Sequence, residues 1–160
     1  MPRRINKTLT NLPSDRRGVA AIEFAMIGSL AAVLVLGAYD FGNAAQQQIQ
    51  LQEAVRSGGA YAMNHATDVS GIQSVVTSAL PSGWTLTNTG GVATVACSCL
   101  NPSTGNVTSL AGCSPTNFDT CASGSGVMVS ITATMAYTSV DPVFAAAIPQ
   151  LSATYVTRFQ

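Results

Sequence analysis

Three periodicities succeed one another along this chain. From Val19 to about Gly37 almost every position is apolar, broken only by Glu23, Gly28 and Ser29. A helix over that stretch, at about 1.5 Å per residue, reaches roughly 28 Å, close to the hydrocarbon thickness of a bilayer. Tyr39 and Phe41 follow it, where an interfacial aromatic belt belongs. The helical signal continues through Ala44–Arg56, which is built of strong helix formers. Leu51, Val55, Gly58 and Ala62 recur at helical spacing as a stripe of decreasing bulk that admits a neighbouring backbone closely. The helix is expected to run to about Asn64, with bending at Gly42-Asn43 or Gly58-Gly59. A second short helix is expected over Ser70–Leu80, stopped by Pro81.

Beyond Pro81 the period changes to two. Trp84–Asn88 and Val92–Ala96 alternate like strands around the turn Thr89-Gly90-Gly91. Residues 100–126 are rich in Asn, Pro, Ser, Thr and Gly and read as a long loop. Val127–Tyr137 carries the clearest strand pattern, with Val127, Val129, Ile131, Ala133, Met135 and Tyr137 on one face. Pro142 ends it. Residues 143–149 suggest one apolar helical turn, and Leu151–Phe159 alternates again with Leu151, Ala153, Tyr155, Thr157 and Phe159 on one side.

The fold class expected is α+β: one long N-terminal helix, its first half membrane-spanning, packed on a small antiparallel sheet of about four strands. The organisation read from the pattern is a basic leader over 1–18, the transmembrane half of the helix over 19–38, and its extracytoplasmic half over 39–66. An extracytoplasmic α+β domain over 67–160 follows, with a disulfide loop at 97–121. Residues 1–15, polar and containing Pro2 and Pro13, are expected to be disordered.

Charge gives this layout an orientation. Formal net charge is zero over 160 residues. Residues 1–18 nevertheless hold Arg3, Arg4, Lys7, Arg16 and Arg17 against Asp15, a balance of +4. The remainder holds Arg56 and Arg158 against six carboxylates, a balance of −4. Positive flanks stay cytoplasmic, so the acidic remainder faces the periplasm of a Gram-negative cell. An acidic chain also argues against nucleic-acid binding, which needs clustered cations.

Cys97, Cys99, Cys113 and Cys121 all follow the membrane segment. An even count outside the cytoplasm reads as two disulfides, with three connectivities open. Cys97 and Cys99 are not expected to pair with each other, because on a strand both point the same way. The spacing lacks the paired C-x2-C knuckles of a structural zinc site.

One carboxylate inside the apolar segment is the other chemical signal. An ionised group in lipid costs about 2.5–3.5 kcal/mol on insertion scales. Glu23 stands at position five of a chain beginning at Val19, directly after Arg16-Arg17-Gly18. These residues resemble the class III signal of type IV pilins, which is cut after the leader glycine. Glu23-Phe24 resembles the Glu-Tyr pair of the Flp, or tight-adherence, branch, with Phe in place of Tyr. The start Arg-Arg-Gly-x-x-Ala-x-Glu-Phe, the segment Ala54–Ala62, the length and a final sheet are together similar to TadE-like minor pilins. The resemblance covers the first 65 residues well and the rest in outline.

The resemblance implies a structural subunit, a minor pilin or pseudopilin for biogenesis of a tight-adherence pilus that serves cell adhesion. It implies cleavage by prepilin peptidase between Gly18 and Val19, and assembly through Glu23 and Phe24. The Glu23 carboxylate would meet the free Val19 ammonium of a neighbouring helix. Implied partners are prepilin peptidase, other pilins, the inner-membrane assembly platform and the bilayer, with no cofactor, no metal and no catalytic residue. The implied location is the bacterial inner membrane, single-pass with the N-terminus cytoplasmic, and incorporation in a surface pilus.

Other readings remain in view. The local alternative for Glu23 is a carboxylate complementing a helix N-terminus. A type II secretion pseudopilin and an uncleaved, signal-anchored periplasmic binding domain share the same layout. Gly42-Asn43-Ala44 offers a secretory cleavage site, but Glu23 interrupts the start of that apolar region. His65, the one histidine, reads as a helix-end residue, and no nucleophile or phosphate-loop motif accompanies it. Asp68-Val69-Ser70-Gly71-Ile72 begins like a von Willebrand A metal motif, but Ile72 replaces the second serine. Trp84 reads as a core or interface residue. The 100–126 loop is either a partner-binding loop or a polar loop tied against proteolysis.

Overall fold

A computed structural model describes residues 16–121, 125–140 and 148–159. The expected leader at 1–15 and most of the expected helical turn at 143–149 lie outside the described residues. The chain divides into two units, Met1–Ala38 and Tyr39–Gln160. Helix α1 (Arg16–Ala62) contributes to both and is helical through Gly42-Asn43 and Gly58-Gly59. Arg16, Arg17 and Gly18 of the expected leader are helical.

In the first unit the helix has no core. Ile22, Phe24, Met26, Ile27, Leu30 and Leu34 are all exposed. This helix is long and apolar enough to cross a membrane, with a mean hydropathy of 2.3 over its most apolar window.

The second unit is the α+β fold expected. Helix α2 (Val69–Ala79) follows α1. The strands are β1 (Thr94–Leu100), β2 (Val107–Ser109), β3 (Gly126–Ala136) and β4 (Gln150–Phe159), with a short helix α3 (Pro115–Phe118) between β2 and β3. They form one antiparallel sheet in the order β2-β1-β3-β4. Burial alternates along β3 and β4: Val129, Ile131, Ala133 and Met135 on β3, and Leu151, Ala153 and Thr157 on β4, turn inward. Against that face lie Leu51, Ala54, Val55 and Ala62 of α1 and Ile72 and Val76 of α2. The other face is a solvated lawn of Thr and Ser, the usual division for an antiparallel sheet covered on one side.

The tapering stripe on α1 is consumed inside this unit. A Cβ on Gly58 would strike the Val76 side chain, and one on Gly59 would strike the Tyr155 ring. The two glycines therefore let α2 and β4 approach the helix, which offsets their cost of about 1 kcal/mol each in helix propensity.

Two expected elements are corrected. Trp84–Asn88 forms no strand and no hairpin with the segment after it. Leu86 makes a single antiparallel bridge to Met135, and Thr94 pairs with Thr132 further along the same edge of β3. The two segments are successive pieces of one line beside β3, interrupted by a 3-10 turn at Thr89–Gly91 in which Gly90 and Gly91 take φ of 80° and 70°. Asn88 closes the gap. Its Oδ1 accepts from the Thr134 N–H at 2.7 Å, and its Nδ2 donates to the Thr132 carbonyl at 3.2 Å. One side-chain amide thus substitutes for a rung of the ladder, which alternation of residue types does not reveal. Trp84 itself is half-buried against the core. The stretch 100–126 is likewise no plain loop, since it contains β2 and α3. Ser114 caps α3 by accepting from the Asn117 N–H, and Pro115 opens it.

Candidate functional site

The expected assembly residues sit on the first two turns of α1. Gly18, Val19, Glu23 and Phe24 are all exposed, Phe24 at 78%. Gly18 and Val19 are both helical, so the bond between them lies inside α1. A peptidase needs that backbone unwound, and Gly18 makes unwinding about 1 kcal/mol easier than alanine would. Glu23 is an exposed carboxylate among the apolar side chains of this stretch.

At the start of the second unit stands a residue whose role sequence reading missed. Asp40 is only 2% exposed. Its carboxylate accepts from the Ser139 hydroxyl at 2.6 Å and the Val140 N–H at 3.0 Å. Its backbone carbonyl accepts from the Tyr137 hydroxyl at 2.9 Å. Burial, first of all, raises the Tyr137 phenol above its ordinary range, and the nearby Asp40 charge adds to it. The segment after β3 is therefore fastened to α1 one residue past the aromatic end of the apolar run. A lone aspartate after such a run is a faint signal, and its partners lie about a hundred positions away in sequence.

The four cysteines form two bridges, Cys97–Cys113 and Cys99–Cys121. Both start on the buried face of β1, where Cys97 and Cys99 are two residues apart and point the same way. They bind the segment carrying α3 under the β1 end of the sheet. Beside the Cys99–Cys121 bridge is a depression of about 450 Å³ lined by Asn101, Thr108, Asn117 and Thr120 among others. Its described lining side chains are polar and apolar groups that offer hydrogen bonds.

His65 lies just past α1 and stacks on Tyr61 with ring centroids 4.4 Å apart. Asp68 is the N-cap of α2. It accepts from the Gly71 N–H, the Ser70 hydroxyl and the Tyr61 hydroxyl, each at 2.9 Å. Those bonds, the backbone one foremost, hold its carboxyl below the usual range. In turn the Tyr61 phenol, donating to Asp68, is raised. The Asp-x-Ser resemblance to a metal motif is thus explained as a helix cap.

What sets this molecule apart is therefore its helix: exposed and apolar at the start, marked by one carboxylate, then packed on a bridged sheet. No curated protein and no solved structure matches the chain. Residues 18–60, which hold the exposed run, Glu23 and the packed stripe as far as Gly59, match the family model described as TadE-like protein, so this segment of the chain is similar to TadE-like, pilin-related proteins.

Proposed function

We propose that this chain is a minor pilin or pseudopilin of a tight-adherence pilus, stored in the inner membrane and processed by prepilin peptidase between Gly18 and Val19. The TadE-like match points to the Tad/Flp pilus system and to a structural, non-enzymatic kind of protein. The helix fits a single-pass anchor. The observation that carries the finer reading is the position of Glu23, a carboxylate on an exposed apolar helix at position five of the chain that cleavage after Gly18 leaves. After cleavage the new Val19 ammonium of a neighbouring helix is its natural counter-charge. Such a pair, desolvated, sets register between helices more than it adds stability. Phe24 lies beside it and packs on the same neighbours.

Two variants test this. Gly18→Leu stiffens the first turn and crowds the scissile bond, so it should accumulate as a precursor heavier by the leader; normal maturation defeats the processing claim. Glu23→Ala should insert and be cleaved, yet fail to co-purify with other pilins. Wild-type recovery in that co-purification removes the pairing role.

A further inference from the structure

The sheet ends in two edge strands, β2 and β4, that no described strand covers. The hydrogen bonds show which residues face outward. Thr134 donates its N–H to Asn88 and accepts the Thr87 N–H at 2.7 Å, so both its backbone groups point away from β4. Its partner Ser152 therefore points away from β3, and so by alternation do Thr154, Val156 and Arg158. The Gln48 amide meets the Ser152 carbonyl at 2.7 Å. No described group meets those of Thr154 or Val156. On the opposite edge, the bonds Asn101 N–H to Asn106 and Leu110 N–H to Cys97 set the alternation of the β1–β2 ladder. They turn Thr108 inward and the backbone groups of Val107 and Ser109 outward.

Side chains repeat the pattern. Two large apolar side chains of the described strands are exposed, Val107 at 57% and Val156 at 53%, one on each edge strand. Both stand on the Thr/Ser face, and both belong to residues with outward backbone groups. Strands β1 and β4 run one way, and β2 and β3 the other. A second copy in the same orientation thus brings its β2 antiparallel to β4. Val107 then lies opposite Val156, and Ser109 opposite Thr154, with all four backbones directed across the seam. A pair of β-branched side chains directly opposite is a favourable cross-strand contact. Strict two-fold pairing of β4 with its own copy would be antiparallel instead. It would leave β2 of both copies unpaired and the contact between Val107 and Val156 unmade.

We infer that β4 of one copy receives β2 of a second copy in this register, giving a head-to-tail contact that leaves a free β2 at one end and a free β4 at the other. Such a heterologous contact is open-ended. The inference rests on the single-pass, one-orientation insertion proposed above. Among the described residues the Gln48 amide alone bonds to the outward backbone of β4, and β4 itself has no proline and only Arg158 as an edge charge.

The test places a photo-cross-linking residue at Val156 in the full chain reconstituted in liposomes and sequences the cross-linked peptides. The expected product is a covalent dimer joining position 156 to a peptide holding Val107–Ser109. Thr154→Pro removes one outward donor without touching the ladder to β3, and Val107→Lys charges the seam from the other side; either should abolish the dimer. Insertion with no dimer, or with 156 joined to 156, overturns the edge pairing alone. A chain that does not insert in one orientation overturns the membrane reading and this inference together.

Discussion

The two ends of α1 are one helix under two regimes. Before Tyr39 its leucines, isoleucines and methionines are exposed; after Phe41 Ala44, Leu51, Ala54, Val55 and Ala62 are buried. Glycines tell the same story. Nothing lies near a Cβ built on Gly28, whereas Gly58 and Gly59 are held against Val76 and Tyr155. The difference teaches that helix propensity and apolarity make both halves alike in backbone, and that only the neighbours distinguish them. The first half awaits lipid or other helices, and the second is satisfied within its own chain.

The comparison is broken most strongly through the disulfides. Replacing Cys99 and Cys121 by alanine should cost the second unit about 3 kcal/mol, with slightly less for the Cys97–Cys113 loop, which is shorter. Denaturant melts of the domain should shift accordingly, while resistance of the chain to carbonate extraction from membranes stays unchanged. An equal loss of both would mean that the two regions are one cooperative unit.

A glycine pair sharpens it. Gly59→Ala forces the Tyr155 ring aside and should destabilise the second unit by about 1–3 kcal/mol, the usual range for overpacking. Gly28→Ala meets no atom and should leave the melt of that unit where it is, while adding up to about 1 kcal/mol of helix propensity to the apolar half. Similar melting shifts for the two variants would erase the contrast drawn between the halves.

The smallest effect concerns the turn from α1 into α2. Asp68 has a lowered pKa in the folded chain, so its cap is fully present above the unfolded aspartate value of about 3.9 and is lost as pH falls through the lower folded value. Amide exchange at Gly71 and Ile72 should therefore stay slow at pH 5 and quicken only well below pH 4. Quickening already near pH 5 would mean that the carboxylate is not held as described. Asp68→Asn, which keeps the capping oxygen, should flatten the dependence.

Much of the architecture was legible from the chain. The apolar run, a second helix stopped before Pro81, and the alternation in β3 and β4 rest on local periodicity and local stop signals. Gly18, Val19, Glu23 and Phe24 stand out in the chain because they form one local motif, and their role in processing and assembly is the proposal made above. Asp40 was not, since its meaning comes from Tyr137, Ser139 and Val140.

By itself, then, the sequence determined that one long helix with an apolar first half leads into an antiparallel sheet, because hydrophobic period and stop residues such as proline act over a few residues. Only the tertiary structure decided which cysteines pair, that Asn88 replaces a rung of the ladder, that a strand forms at Val107–Ser109, and that Asp40 fastens the segment after β3 to the helix. Each of those depends on groups brought together from distant positions, and their energies are settled by burial and hydrogen-bond satisfaction at the meeting point, not by any preference of the residues alone.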